Sequence, residues 1–254
     1  MYGYNPRSIK KSSDARLIVA KFSLATGEER LVNLINVYKG VPISHDATVI
    51  KVINERLTLK FHHDQALMLN LDGQTYIQTR LLSSPIKATV MTINTTEQLA
   101  ILTDLTFTEP DFRKRESIRV ELDLEDAPNV TVSAPDNNVY LFGKLNDISR
   151  CGVGVMVIAI EDIISKIFVA NSVVELAMML PDPDKKHLRE IKMWGEIRHL
   201  DHAQENYKLG VKTYPHADDE TCIAEFISRR KAEILDEVEQ YNRSMDLRDW
   251  VVPG

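Results

Sequence analysis

Cysteine is scarce in this chain: of 254 residues only Cys151 and Cys222 are cysteines, and they lie far apart in the sequence. Two isolated cysteines provide neither a disulfide framework nor the paired spacing of a structural zinc site. This usage is typical of proteins from a reducing compartment, so we expect a cytoplasmic protein. Cys151 is expected to be a small packing residue rather than a nucleophile.

Long apolar segments are also missing. The most apolar stretch, residues 153–160, is followed directly by Glu161 and Asp162. It is far shorter than the roughly 20 residues of a membrane-spanning helix. The first residues, Met1 to Arg7, lack the apolar core of a signal peptide. We therefore expect no membrane insertion.

The chain has no excess of positive charge. It carries 31 Lys and Arg residues against 37 Asp and Glu residues, which is a formal net charge of −6. A general nucleic-acid-binding protein needs a basic face, so a DNA- or RNA-binding regulator is disfavoured. A small anionic ligand is still compatible with this balance, because a local group of basic residues sets the potential around itself.

Catalytic and metal-binding patterns are lacking as well. No Ser-His-Asp or Cys-His combination has a recognisable flanking sequence, so we expect no enzyme activity. His62, His63 and Asp64 are consecutive, but neighbouring histidines on a strand point to opposite faces and no third ligand follows at a useful spacing. We therefore predict no metal site there, and none at His199 and His202.

The N-terminal part of the sequence predicts a small, mainly β unit with one helix. Thr26 and Glu29 form a capping-box pattern, which predicts a helix over residues 26–39. Beyond Pro42 the apolar residues alternate, as they do in half-buried strands. Strands are predicted over residues 57–61, 67–71, 76–82, 88–93 and 99–107, with Asp72-Gly73 as a hairpin turn.

A polar break at residues 108–111 interrupts this pattern, and we place the domain boundary there. The expected domains are residues 1–110 and residues 111–254. In the second domain a helix is expected to begin at Asp218 or Asp219, because apolar residues follow at helical spacing. The expected strands of this domain are residues 120–124, 139–145, 153–160, 173–180, 191–199 and 207–213.

The first chemically informative motif is basic. It reads Arg115-Glu-Ser-Ile-Arg119 and is preceded by Arg113 and Lys114. A guanidinium group matches the N7 and O6 edge of guanine in bidentate fashion, and it also pairs with phosphate oxygens. Alone, such a motif is usually a solvated basic loop, because arginine is mostly a surface residue.

The second motif, Asp147-Ile-Ser149-Arg150-Cys-Gly152, supplies complementary groups. A carboxylate can accept hydrogen bonds from guanine N1–H and N2–H, a serine can bond a phosphate, and a glycine lets a ligand approach the backbone. Asp147 and Ser149 could instead form local turns, but their joint placement with Gly152 favours ligand contact. Arg150 is a further candidate. Together the two motifs predict a site for an anion that carries guanine.

An RxxxR motif followed by (D/N)xSxxG is the signature of the PilZ domain, the bacterial receptor module for cyclic di-GMP. This sequence resembles that family at every signature position, which are Arg115, Arg119, Asp147, Ser149 and Gly152. The likeness extends from about Phe112 to the C-terminal helix. The domain order also resembles the flagellar-brake family, in which a small β domain precedes PilZ. The predicted helix over residues 26–39 has no role that this likeness explains.

The resemblance implies a mainly β protein of two domains. The first would be an N-terminal split-barrel-like β domain with one helix. The second would be a six-stranded antiparallel PilZ β-barrel with a C-terminal helix. The five signature residues would bind cyclic di-GMP, with Arg113, Lys114 and Arg150 as additional contacts and without any cofactor. Lys114 stands where a basic residue favours an intercalated ligand dimer, so one and two bound molecules both remain open.

The implied function is a receptor that changes its domain arrangement on binding and regulates a protein partner. A flagellar motor component and polysaccharide or secretion machinery fit equally well, with outputs in motility, biofilm formation or exopolysaccharide production. The alternatives are a PilZ-fold interaction adaptor that binds no nucleotide and a nucleotide hydrolase that uses the same site. A monomer and a homodimer formed through the C-terminal helix both remain open.

Overall fold

The computed structural model describes residues 6–108, 110, 117–158, 161–182, 187–203 and 206–245. These residues divide into two compact units. The first unit is drawn from Met1–Tyr38, Pro42–Lys114 and Ile234–Gly254, and the second from Lys39–Val41 and Arg115–Glu233. The assignment of residues 1–110 and 111–254 as domains stays a prediction.

The first unit is a closed, antiparallel β-barrel. Its elements in chain order are α1 (Pro6–Leu24), β1 (Leu31–Tyr38), β2 (Val41–Ile53), β3 (Arg56–Phe61), α2 (Ala66–Asp72), β4 (Gln74–Gln78), β5 (Ile86–Asn94) and β6 (Leu99–Phe107). The strands follow each other around the barrel in the order β1-β2-β3-β6-β5-β4, and the pairing of β1 with β4 closes it.

A single apolar core fills this barrel, with contributions from every strand and both helices. Ile18 and Phe22 of α1 are fully buried, and their spacing of one turn places them on the same helix face. Leu57 and Leu59 of β3 are fully buried at the spacing of two that a strand requires. Each such side chain contributes roughly 1.5–3 kcal/mol by its removal from water.

The helix predicted over residues 26–39 is wrong. The capping residues lie around a single 3-10 turn, Gly27–Arg30, in which the Thr26 N–H donates to Glu29 Oε2 at 3.0 Å. The following residues form β1, which pairs with β4 and is rich in β-branched side chains. The predicted capping interaction between Thr26 and Glu29 is therefore present. The conformation of the residues that follow is decided by strand pairing.

The strand predicted over residues 67–71 is also wrong, because α2 occupies this part of the chain. Leu67 and Leu69 are buried in it. Gly73 follows the last helical residue with a φ of 59°. A glycine in this left-handed conformation ends a helix as well as it forms a hairpin, so the Asp72-Gly73 signal is compatible with both structures.

The second unit is built on another antiparallel barrel. Its elements are β7 (Val120–Glu121), β8 (Asn129–Ala134), β9 (Val139–Ser149), β10 (Gly152–Val157), α3 (Glu161–Ile167), β11 (Val173–Pro181), β12 (Leu188–Ala203) and β13 (Asn206–Tyr214), followed by α4 (Ala217–Met245). The sheet runs β10-β13-β12-β11-β8-β9-β7, and a further pairing of β10 with β9 closes a ring of six strands. Residues of α4 from Ile234 onward are grouped with the first unit.

The predicted fold class is confirmed. Both units are mainly β, the second contains a six-stranded antiparallel ring, and a helix follows its last strand. Asp218 and Asp219 lie in the first turn of α4, where a negative charge interacts favourably with the helix dipole. Among the described residues, no helix has the length and apolar character needed to cross a membrane.

A buried amide network stabilises the first unit beside its apolar core. Asn36 of β1 is 2% exposed, and its Oδ1 accepts hydrogen bonds from Gln65 Nε2 and Thr75 Oγ1, both at 2.8 Å. Its Nδ2 donates to Asp72 Oδ2 at 2.8 Å and to the Gln74 carbonyl oxygen at 2.6 Å. One side chain thus connects β1 to α2 and to β4.

We predict that Asn36→Ala destabilises the first unit. The substitution leaves the buried donors of Gln65 and Thr75 without their shared acceptor, and each such loss costs about 1–3 kcal/mol. The free energy of unfolding should fall by about 2–4 kcal/mol, as measured by urea denaturation.

The matched control is Asn33→Ala on the same strand. Asn33 bonds to Ser44 and Asp46 on the exposed side of the barrel, so its removal should cost less than about 1 kcal/mol. Equal losses in the two variants would contradict a special role for Asn36.

Candidate functional site

The second motif forms a β-hairpin in the barrel of the second unit. Asp147 and Ser149 lie at the end of β9, and Gly152 begins β10. The strands pair with Gly152 opposite Ser149 and Gly154 opposite Asp147. Ser149 Oγ donates to the Gly152 carbonyl oxygen at 3.1 Å. The fold thus brings together all the predicted site residues of this motif except Arg150, which lies in the turn.

A β-bulge lies next to Asp147. Gly154 is opposite Asp147 but Val155 is opposite Leu145, so Asn146 is an extra residue in β9. A bulge of this kind bends its strand and changes the direction of neighbouring side chains. Asn146 Nδ2 donates to Asp147 Oδ2 at 2.9 Å, so the bulge residue also supports the motif carboxylate directly.

Asp147 is a buried charge with two cationic neighbours. Its side chain is 1% exposed. Arg119 Nε lies 3.3 Å from Oδ1, and Lys208 Nζ lies 2.8 Å from Oδ2. A buried carboxylate is tolerated only when charges and hydrogen bonds compensate its desolvation. The structure therefore brings Arg119 of the first motif to Asp147 of the second, as the predicted site requires.

The contact between Arg119 and Asp147 is an ion pair without a hydrogen bond. Although Nε and Oδ1 are 3.3 Å apart, neither buried atom has a hydrogen-bond partner among the described residues. Buried polar atoms are nearly always hydrogen-bonded, so an unsatisfied pair of this kind requires an explanation. A donor and an acceptor thus lie side by side at the motif, each with unused hydrogen-bonding capacity.

Lys208 is a site residue that the sequence analysis missed. It lies on β13 opposite Met156 of β10, and this register brings its ammonium group to Asp147. A single lysine in an alternating strand carries no sequence signal for such a role. The register between two strands far apart in the sequence supplies the contact.

Gly154 was likewise missed, although it stands two residues after the motif glycine. A Cβ atom at this position would lie 2.3 Å from Asp147 Oδ2 and 2.8 Å from Oδ1. The carboxylate of Asp147 therefore lies directly against the backbone of Gly154. The repeated glycine in Gly152-Val-Gly154 was the available signal, because a glycine within a strand often marks a close approach.

Gly152 has a packing role. A Cβ atom here would lie 2.9 Å from the carbonyl oxygen of Val211, so the absence of a side chain lets β10 lie close to β13. The sequence analysis expected this glycine to admit a ligand to the backbone. Close strand packing alone is enough to require it.

Of the remaining predicted site residues, Arg150 belongs to the described part of the chain. Arg113, Lys114 and Arg115 lie outside the described residues. Arg150 is exposed in the turn between β9 and β10. It lines a groove of about 400 Å³ together with Pro215 and residues of the first turns of α4. The predicted contact of Arg150 with a ligand stays a prediction.

Comparisons with known proteins find similarity at the level of structure. No protein-family model and no curated protein matches the sequence. Escherichia coli YcgR in complex with c-di-GMP is similar at 10% identity and a TM-score of 0.40, over 94% of this chain and 100% of that one. The inhibitor of motility MotI/DgrA of Bacillus subtilis is similar at 12% identity and a TM-score of 0.39, over 80% and 97% of the two chains.

An isolated PilZ domain of E. coli YcgR with c-di-GMP is similar to half of the chain. The identity is 11% and the TM-score 0.38, over 50% of this chain and 98% of that one. The structural neighbours are thus of the kind that the sequence motif names. These identities and TM-scores are too low to carry a functional argument.

We predict that Gly154→Ala and Asp147→Ala are strongly coupled. In the otherwise unchanged chain, the new methyl group of Gly154→Ala meets a carboxylate fixed by Lys208 and Arg119, so the free energy of unfolding should fall by about 1–3 kcal/mol. In the Asp147→Ala background the carboxylate is gone and the same methyl group has space.

Urea denaturation of the two single variants and the double variant gives the coupling free energy. We expect at least about 1 kcal/mol, because the residues are in direct contact. Additive effects would show that the carboxylate is not confined against Gly154.

Proposed function

We propose that this protein is a receptor for cyclic di-GMP and that it is not an enzyme. The observation that supports this most directly is the ion pair between Arg119 of the first motif and Asp147 of the second, in which Nε lies 3.3 Å from Oδ1. A ligand with both donors and acceptors can bond to both groups once a side-chain movement exposes them. The proposal depends on these residues and their motif spacing, and the fold similarity adds nothing to it.

Guanine provides the required combination of groups. Its N1–H and N2–H are donors that a carboxylate oxygen such as Asp147 Oδ1 can accept, while its N7 and O6 are acceptors for a guanidinium group such as that of Arg119. Both hydrogen bonds involve a charged group and a largely buried position, so each is worth about 1.5–3 kcal/mol.

The phosphates of the ligand require positive charge, and the site carries an excess of it. Arg119 and Lys208 supply two positive charges against the one negative charge of Asp147. The neighbouring sequence adds three basic residues, Arg113, Lys114 and Arg115, against two acidic ones, Glu116 and Glu121. A dianionic ligand therefore suits the local charge even though the net charge of the chain is −6.

Ser149 would have to exchange its hydrogen-bond partner on binding. Its hydroxyl hydrogen is donated to the Gly152 carbonyl oxygen, and a phosphate oxygen can only accept. We infer that a phosphate displaces this internal bond. The net gain from Ser149 is then smaller than that from Arg119.

The proposed output is regulation of a protein partner. Ligand binding that engages both the basic residues 113–119 and the hairpin of β9 and β10 would favour one arrangement of the predicted domains, 1–110 and 111–254, over another. A flagellar motor component and polysaccharide or secretion machinery remain the candidate partners, with motility, biofilm or exopolysaccharide production as the process.

The second candidate function is an adaptor of the same fold that binds no nucleotide. One observation favours it: Asp147 is already neutralised by Arg119 and Lys208 and is almost completely buried. An internal ion pair of this kind is stable without a ligand, and a ligand must compete with it.

We predict that the protein binds cyclic di-GMP with a dissociation constant on the order of micromolar or below in isothermal titration calorimetry. Arg119→Ala should weaken binding by roughly tenfold to a hundredfold, because it removes a charge-assisted hydrogen bond. Ser149→Ala should have a smaller effect, since its hydroxyl already has an internal partner.

The matched control is Arg198→Ala in the same unit. Arg198 is a half-exposed arginine of β12 that pairs with Glu196 at 2.8 Å, away from the motif sequence. The Arg198→Ala variant should bind cyclic di-GMP with the same affinity as the unaltered protein. An absence of binding at about 100 µM ligand would favour the adaptor, and an unchanged affinity in Arg119→Ala would show that the site lies elsewhere.

We further predict that bound ligand leaves the protein chemically unchanged. After prolonged incubation with the protein and Mg²⁺, chromatography should recover intact cyclic di-GMP. Formation of the linear dinucleotide or of GMP would identify a hydrolase instead, and it would overturn the receptor proposal.

A further inference from the structure

Three potential metal ligands meet on the first barrel, away from the two motifs in sequence. They are His45 of β2 and the residues His62 and Asp64, which follow β3. Their potential ligand atoms all lie within 4.8 Å of one another. In the described part of the chain, this is the group of at least three His, Cys, Asp or Glu residues with such short distances between them.

The pairing of β2 with β3 produces this group. Ala47 lies opposite Phe61 at the end of the paired region, so the residues just beyond it, His45 and His62, become neighbours. Their rings are stacked with centroids 5.1 Å apart and an angle of 10° between the planes. The sequence analysis rejected a metal here because it found no third ligand, and β2 supplies that ligand from a distant position.

Asp64 is oriented toward the histidines. Its Oδ2 lies 3.2 Å from His62 Nδ1, and its Oδ1 lies 3.1 Å from His63 Nε2. The carboxylate therefore contacts two imidazole nitrogens, of which His62 Nδ1 also accepts a hydrogen bond from the Asp64 N–H at 3.4 Å. A cation bound between these groups would replace imidazole–carboxylate contacts by metal–ligand bonds and would not require new residues to approach.

The side-chain amide of Asn242 holds the segment that carries His62 and Asp64. Asn242, which is 2% exposed, donates from Nδ2 to the Asp64 carbonyl oxygen at 2.8 Å and accepts at Oδ1 from the Leu67 N–H at 3.2 Å. These bonds hold the backbone of the ligand Asp64 and of Leu67, three residues further on. A backbone fixed in this way lowers the conformational cost of metal binding.

We propose that His45, His62 and Asp64 form a binding site for a divalent transition-metal ion of the Zn²⁺ type. Two imidazole nitrogens and a carboxylate oxygen are ligands that Zn²⁺ accepts, at about 2.0–2.2 Å. Such a set leaves one position of a tetrahedral site open for water, for His63 or for an external ligand.

The geometry needs only a small adjustment. Ligands in a tetrahedral zinc site lie roughly 3.3 Å apart, as follows from metal–ligand bonds of about 2.0–2.1 Å. The potential ligand atoms in this structure are up to 4.8 Å apart. Rotation of the side chains can bring them to the shorter distance. His62 and Asp64 can rotate because their side chains are 54% and 33% exposed.

The test uses the full chain, first treated with a chelator and then freed of it, and Zn²⁺ alone as the probe. Isothermal titration calorimetry should show one ion per chain. His45→Ala and the nearly isosteric Asp64→Asn should each weaken binding by about tenfold or more. Substituting Co²⁺ should give the intense visible absorption of a four-coordinate ion, and the absorption should be lost in Asp64→Asn.

The matched control is His199→Ala in the second unit. His199 also faces a carboxylate, with Nε2 3.7 Å from Asp201 Oδ2, but it belongs to no group of three ligands in the described residues. Its zinc affinity should equal that of the unaltered chain. Absence of zinc binding at about 1 mM, or binding that survives both His45→Ala and Asp64→Asn, would overturn the proposal.

Unfolding curves of Asp64→Asn separate a lost site from a lost fold. The variant should unfold like the unaltered chain without metal, while only the unaltered chain should gain stability on addition of Zn²⁺. Equal stabilisation of both by Zn²⁺ would also overturn the proposal. None of these outcomes depends on whether the chain binds cyclic di-GMP.

Discussion

The buried charge of Asp147 is the constraint on which the candidate ligand site depends. A carboxylate removed from water must be compensated, and Arg119, Lys208 and Asn146 do so from three directions. These groups can meet because β9 lies between β7 and β10 at this point, with Glu121 and Gly154 as the residues opposite Asp147. The order of strands in the barrel and the position of the charge are therefore linked.

Space is the second requirement at this site. Asp147 fits only because Gly154 has no side chain, and β10 approaches β13 only because Gly152 has none. The positions of the second motif and the steric needs of the barrel thus coincide at the same few residues. It follows that substitutions at either glycine report first on folding. Arg119 also compensates the buried charge of Asp147, so its substitution affects stability as well as any ligand contact.

In the first barrel, buried amide side chains connect neighbouring elements by hydrogen bonds. Asn36 connects β1 to α2 and β4 by four hydrogen bonds, and Asn242 fixes the segment after β3. Most donors and acceptors of this network are satisfied, as is usual for buried polar groups, while Gln65 Oε1 has no partner among the described residues. The proposed metal ligands His45, His62 and Asp64 lie on β2 and directly after β3. The ligands proposed for the two units differ accordingly, a metal ion for the first and a guanine nucleotide for the second.

The sequence by itself determined the mainly β fold class, most strands and the C-terminal helix, since alternation and capping signals are local. It misplaced the helix at residues 26–39 and the strand at residues 67–71, because a cap or a glycine turn is compatible with more than one continuation. Gly154 had a sequence signal in the repeated glycine, but only the register opposite Asp147 showed the close approach of the carboxylate. Only the tertiary structure showed the contacts of Lys208 and His45, because strand register joins positions distant in the chain and leaves no mark on the residues nearby in sequence.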